Sequence, residues 1–300
     1  MPALVAGIHV FYAPSASRNK DVDGRNKFGH DVLASLSMSP DFSFWLELVF
    51  KMVLTAAVVV FISIVVERSG PFIGALIAAL PTAAGAAYVI LAIEHPPAFI
   101  AGSAVGSMAI GAAVAIFAAV YAVLAQRHGL LLSLGVALLV WFGCAALLRQ
   151  FDWMPLSALI LNAVVYAVTV PLSWRYRSSA PPKKFLRTRY DIPLRALAAA
   201  IVVVIVTTAS HSIGSFASGM FALFPIVFCS SIVILHPRVG GQATASVMAH
   251  AQVALIGLTF AFMAVHSFAE PLGSWWALLI GLSVSVAWSG MLMAVRKKAR

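Results

Sequence analysis

The sequence predicts an all-α, polytopic transmembrane bundle of about nine spans, made of two inverted four-helix repeats joined by a linking helix. Three observations lead there. The 300 residues are 62% hydrophobic and only 10% charged, with a mean hydropathy of +0.98, whereas a soluble domain is about one quarter charged. The apolar residues fall in long continuous runs of roughly 20, the length that crosses ~30 Å of hydrocarbon. A stretch of the first half also returns 144 residues later. Soluble enzymes, nucleic-acid binders and secreted disulfide scaffolds are excluded for want of polar surface. Outer-membrane barrels would show short alternating segments instead.

Residues 1–42 form a separate N-terminal tail. Its first thirteen residues are mildly apolar with no basic segment before them, unlike a signal peptide. Residues 14–31 are polar, mixed in charge and expected to be disordered. Met38 leads directly into the first apolar run and offers a second translation start, so the tail reads either as disordered or as lying outside the translated chain. The spans then run at 44–66, 71–93, 98–125, 130–148, 154–174, 192–210, 213–235, 243–265 and 272–295. They must be helices because lipid satisfies no backbone donor or acceptor. Short breaks are expected at Glu94-His95-Pro96-Pro97 and at His236-Pro237-Arg238, since proline ends helices and restricts the residue before it. The parts are a first repeat over 43–150, a linking span over 151–174, a basic loop over 175–191 and a second repeat over 192–300.

The net charge of +10 is a topology signal. Seven of the twenty basic residues lie between Arg175 and Arg195, and four more between Arg296 and Arg300, both beside apolar spans. Cytoplasmic loops carry such excesses. The expected location is therefore the bacterial inner membrane, multi-pass, with the N-terminus periplasmic and the C-terminus cytoplasmic. Cys144 and Cys229 lie inside spans and read as packing residues.

The internal repeat aligns Lys51–Leu91 with Arg195–Leu235 without a gap. Gly70/Gly214, Phe72/Phe216 and Pro81/Pro225 recur at fixed spacing, along with Val58–Val60 and Val202–Val204. Each copy opens on an acid–base pair at i,i+4, Glu47 with Lys51 and Asp191 with Arg195, which can pair along one helix face. Four spans per copy separated by one unpaired span reverse the second copy, the inverted plan of many secondary transporters.

The second half, over about 192–298, resembles the GlpM-like family of small bacterial inner-membrane proteins. The resemblance lies in Leu194-Arg195-Ala196, in Ser218-Gly219-Met220-Phe221-Ala222-Leu223-Phe224-Pro225, and in the last span with Trp288 and Lys297-Lys298. The first half keeps Leu80-Pro81 but has Ala75 and Ala79 where the second has Gly219 and Leu223. The resemblance implies two four-span units fused through an added helix, an inner-membrane location and a link to alginate (exopolysaccharide) production. It supplies no catalytic residue.

Pro81 and Pro225 near the middle of spans 2 and 7 are the first candidate site. Each frees a backbone carbonyl, and interrupted helices at matching positions of two halves point to a transport pathway. Gly74 and Gly219 beside them permit close backbone approach. His250, with Gln252 and Ser246 on its helix, is the ionisable group well inside a span and suits proton coupling or substrate contact. Glu67, Arg68, Glu94, His95, His211 and Arg238 stand at span ends as gating charges. Eight histidines show no metal-ligand spacing, and no phosphate loop, GxSxG or cofactor motif occurs, so neither a metal, a cofactor nor catalysis is expected.

The expected function is a secondary transporter or permease for a small neutral or anionic solute, with its site at the repeat interface. The lack of a buried acid disfavours organic cations. The alternative is a non-transporting subunit supporting envelope or exopolysaccharide assembly through small-residue faces such as Gly102–Gly106–Ile110. The expected partners are the bilayer and a small-molecule or ion substrate, with no nucleic acid; the helix faces also admit a homo-oligomer or membrane complex.

Overall fold

The computed structural model describes residues 82–177 and 191–298 together with scattered helical positions between Leu46 and Val60. Residues 1–45, Glu47, Gly70, Gly74, Pro81 and the loop 178–190 lie outside the described residues, as do the side chains of Asp191 and Arg195. The expectations made for them carry no structural outcome.

The described residues are helical, with no strand among them. In chain order they form α1 (Thr82–Glu94), α2 (Pro97–Leu124), α3 (Leu130–Leu148), α4 (Pro155–Trp174), α5 (Asp191–Ala222), α6 (Ile226–Val239), α7 (Gly241–Leu272) and α8 (Ser274–Lys298). Among the described residues, six stretches are long and apolar enough to cross a membrane. They fit a multi-pass integral membrane protein. The predicted span at 130–148 coincides with α3, and those at 98–125 and 154–174 fall within one residue of α2 and α4.

The longest stretch, Ala199–Val239, has 41 residues, about twice what a bilayer requires. It folds back on itself at Gly214, whose φ of 79° is a left-handed conformation that a side chain would strain. Ala196 and Ala199 before the turn pack near Ile226 beyond it. The returning arm then stops at Leu223–Pro225, and α6 begins anew at Ile226.

One sequence expectation is corrected here. The break predicted at His236-Pro237-Arg238 falls instead at Gly240, since α6 continues through Pro237 to Val239. Proline in a last turn removes one hydrogen bond, whereas Gly240 at φ 83° turns the chain out of the helix.

Among the described residues, helix α2 is the most deeply buried element. Residues such as Ile100, Met108, Ile110, Phe117 and Tyr121 are fully buried, and α3, α4, α5 and α7 all pack on it. Its neighbour α7 runs antiparallel to it. His266 Nδ1 lies 3.1 Å from the Ala101 carbonyl, Gln252 Nε2 donates to the Ala115 carbonyl, and Gly241 abuts the Ala125 carbonyl. The returning arm of α5 runs parallel to α2, with Ser103 Oγ donating to Ser215 O and Ser107 Oγ to Gly219 O at 3.0 and 2.7 Å. Helix α4 crosses beside both. Asn162 near its middle donates to Met108 O at 2.6 Å and accepts from Thr259 at 3.4 Å, and Arg177 just past its end donates to Ala249 O. Helices α3 and α8 are peripheral and present apolar faces outward, as Leu131 and Leu139 do at 87% and 72% exposure. Such faces suit lipid.

Candidate functional site

The first candidate is the interruption at Leu223-Phe224-Pro225. Proline has no N–H to donate and clashes with the preceding turn. The chain answers with a break: Pro225 sits at φ −74°, ψ 43°, and the new helix starts with no side-chain cap. Pro225 is buried. The Phe224 ring meets the fully buried Trp141 edge-on at 5.0 Å between centroids. Trp141 Nε1 is a buried donor with no hydrogen-bond partner among the described residues. Upstream of the break, a Cβ on Gly219 would lie 1.8 Å from the Ser103 carbonyl oxygen, and one on Gly106 would lie 2.0 Å from Phe216 O. Only glycine allows these backbones to touch. The Gly102–Gly106–Ile110 face, expected to serve external packing, is therefore engaged inside the chain, where Gly102 and Gly106 abut Ser215 and Phe216 of α5 and Ile110 is buried.

His250 is half-buried, and its Nδ1 lies 2.8 Å from the Ser246 carbonyl of the preceding turn. Gln252 is fully buried; its Nε2 is spent on Ala115 O at 3.3 Å, and its Oε1 has no partner among the described residues.

The second candidate gathers at the α1–α2 hinge. Glu94 closes α1, and Lys51 reaches it with Nζ 2.6 Å from Oε1. Lys51 thus reaches the end of α1; its expected pairing with Glu47 lies outside the described residues. Both side chains of the bridge are largely buried, at 11% and 14% exposure, so water screens it little. His95 stacks on Phe99 with centroids 3.7 Å apart and stands 4.4 Å from the His211 ring. Its Nε2 lies 2.7 Å from Ser210 Oγ. Burial lowers the His95 pKa, His211 and Lys51 lower it further, and Glu94 opposes them. Together these effects favour the uncharged ring. Of the span-end charges named from the sequence, the fold unites Glu94, His95 and His211. Arg238 stands elsewhere, exposed at the end of α6, and Glu67 and Arg68 are outside the described residues.

Other polar contacts were not anticipated. Tyr88 OH and Ser107 Oγ lie 2.8 Å apart, and Tyr121 OH lies 2.7 Å from His236 Nδ1. No spacing in the sequence marks these pairs, because their members come from different helices.

Compared with known proteins, the chain matches no family model, no curated protein and no solved structure.

Proposed function

We propose that this chain is a secondary transporter or permease of the bacterial inner membrane, carrying a small neutral or anionic solute between two inverted repeats. The observation that carries the reading is the buried interruption at Pro225 within a membrane-length segment. Discontinuous helices of this kind line transport sites, and their N-termini bear partial positive charge that favours anions. The uncapped start of α6 and the Trp141 indole N–H, which has no partner among the described residues, supply such donors.

The repeat plan has further support. Helices α2 and α3 begin at Pro97 and Leu130, while α7 and α8 begin at Gly241 and Ser274. Each start recurs 144 residues on, the offset of the sequence repeat. The counterparts α2 and α7 pack antiparallel, as an axis in the membrane plane requires. The basic loop at 175–191 and the C-terminus are cytoplasmic on this reading, and the N-terminus periplasmic. The GlpM-like likeness agrees with the location. The alternative, a non-transporting assembly subunit, would dock through faces other than Gly102–Gly106–Ile110, which packs inside the chain.

Liposomes containing the purified protein test the proposal by osmotic recovery, followed by light scattering, with a panel of small polyols, sugars and monovalent organic anions. The wild type is expected to speed entry of at least one solute. Pro225→Ala is expected to reduce that rate at least tenfold while keeping a wild-type melting temperature. Wild-type liposomes as slow as empty ones across the panel, with stoichiometric co-purification of a partner from native membranes, would favour the subunit reading.

A further inference from the structure

We propose that Glu94, His95 and His211 form a binding site for a divalent transition metal of the zinc class, bridging the α1–α2 hinge and α5. Each of the three offers one ligand atom, and all three atoms lie within 4.8 Å of one another. Zinc–nitrogen and zinc–oxygen bonds of about 2.0–2.2 Å place tetrahedral ligands roughly 3.3 Å apart. Closing the site therefore takes about 1.5 Å of side-chain movement. His211 is exposed, so an ion can enter from outside, while Glu94 and His95 are half-buried and held.

Two details of the hydrogen bonding favour a cation. Ser210 Oγ lies 2.6 Å from the Thr207 carbonyl, which can only accept, so the hydroxyl proton goes there. His95 Nε2 must then donate its proton to Ser210 Oγ, which leaves Nδ1 with a bare lone pair. Metal-bound histidines are held in this way, one nitrogen donating to the surroundings and the other ligating. The carboxylate gives the second detail. Glu94 Oε1 is taken by Lys51, but Oε2 is buried with no hydrogen-bond partner among the described residues. A buried anionic oxygen without a donor is costly, and a metal ion would satisfy it. Two imidazoles with one carboxylate suit Zn²⁺, Co²⁺ or Ni²⁺ rather than Mg²⁺ or Ca²⁺, which prefer oxygen sets. Three protein ligands leave a fourth position for water. The assignment stands apart from the transport reading.

The test uses the full chain in detergent, without a histidine tag and with Cys144 and Cys229 replaced by alanine. Titration with Co²⁺ alone is followed by its visible absorption, then by displacement with Zn²⁺. The expected result is one ion per chain in a four-coordinate spectrum. His211→Ala and Glu94→Gln should each weaken binding at least tenfold. Lys51→Met removes the ammonium competing for the carboxylate and should tighten binding about fivefold, a gain that misfolding does not imitate. Absence of saturable binding in the parent, binding within twofold of it in His211→Ala, or no gain in Lys51→Met overturns the assignment.

Discussion

The hinge after α1 and the hinge after α6 occupy matching places 144 residues apart but are built from opposite materials. The first, Glu94-His95-Pro96-Pro97, is held by side chains: an ion pair to Lys51, an imidazole bonded to Ser210 and a second imidazole beside it. The second, Arg238-Val239-Gly240-Gly241, is held by backbone. Gly240 turns at φ 83°, and a Cβ on Gly241 would lie 2.1 Å from the Ala125 carbonyl oxygen. Side-chain contacts can be exchanged for water, a proton or a metal without moving a helix. Backbone packing has no such substitute. The same fold position is thus adjustable at one hinge and rigid at the other.

Substitutions break or sharpen this contrast. Gly241→Leu forces a side chain between α2 and α7 and should cost the most, about 3 kcal/mol or more, seen as a lost or sharply lowered melting transition in detergent. Glu94→Gln removes the charge from the opposite hinge and should cost about 1.5–2 kcal/mol. A loss equal to that of Gly241→Leu would erase the distinction between the hinges. Tyr121→Phe takes away one hydrogen bond to His236 beside the rigid hinge, for about 1 kcal/mol; a larger loss would mean that this hinge too depends on side chains. Leu139→Ala, on the outward face of α3, should change the melting temperature least, by under about 0.5 kcal/mol, because both hinges lie away from that surface.

Much of the architecture could be read from residues alone. Runs of about 20 apolar residues located α2, α3 and α4 to within one residue, since bilayer thickness leaves little freedom. Pro225 located the interruption because proline cannot complete a helical turn. Pro237 misled for a physical reason: near a helix end it costs one bond, and the turn waited for Gly240. The hinge cluster was legible only in pieces. Glu94, His95 and His211 stood out as span-end charges, but their meeting depends on the reversal at Gly214, which brings Ser210 beside a histidine 115 residues away. Trp141 left no mark at all, being one aromatic among many in an apolar span until Phe224 is placed against it.

The central claim is that counterpart helices are inverted. Gln126 and Glu270 stand 144 residues apart, just past the body of α2 and near the end of α7. Each is changed singly to cysteine in a background lacking Cys144 and Cys229, then labelled in intact cells with a membrane-impermeant maleimide. Glu270→Cys is predicted to label from outside, and Gln126→Cys only after the membrane is opened. Labelling of both from the same face would contradict the inverted plan.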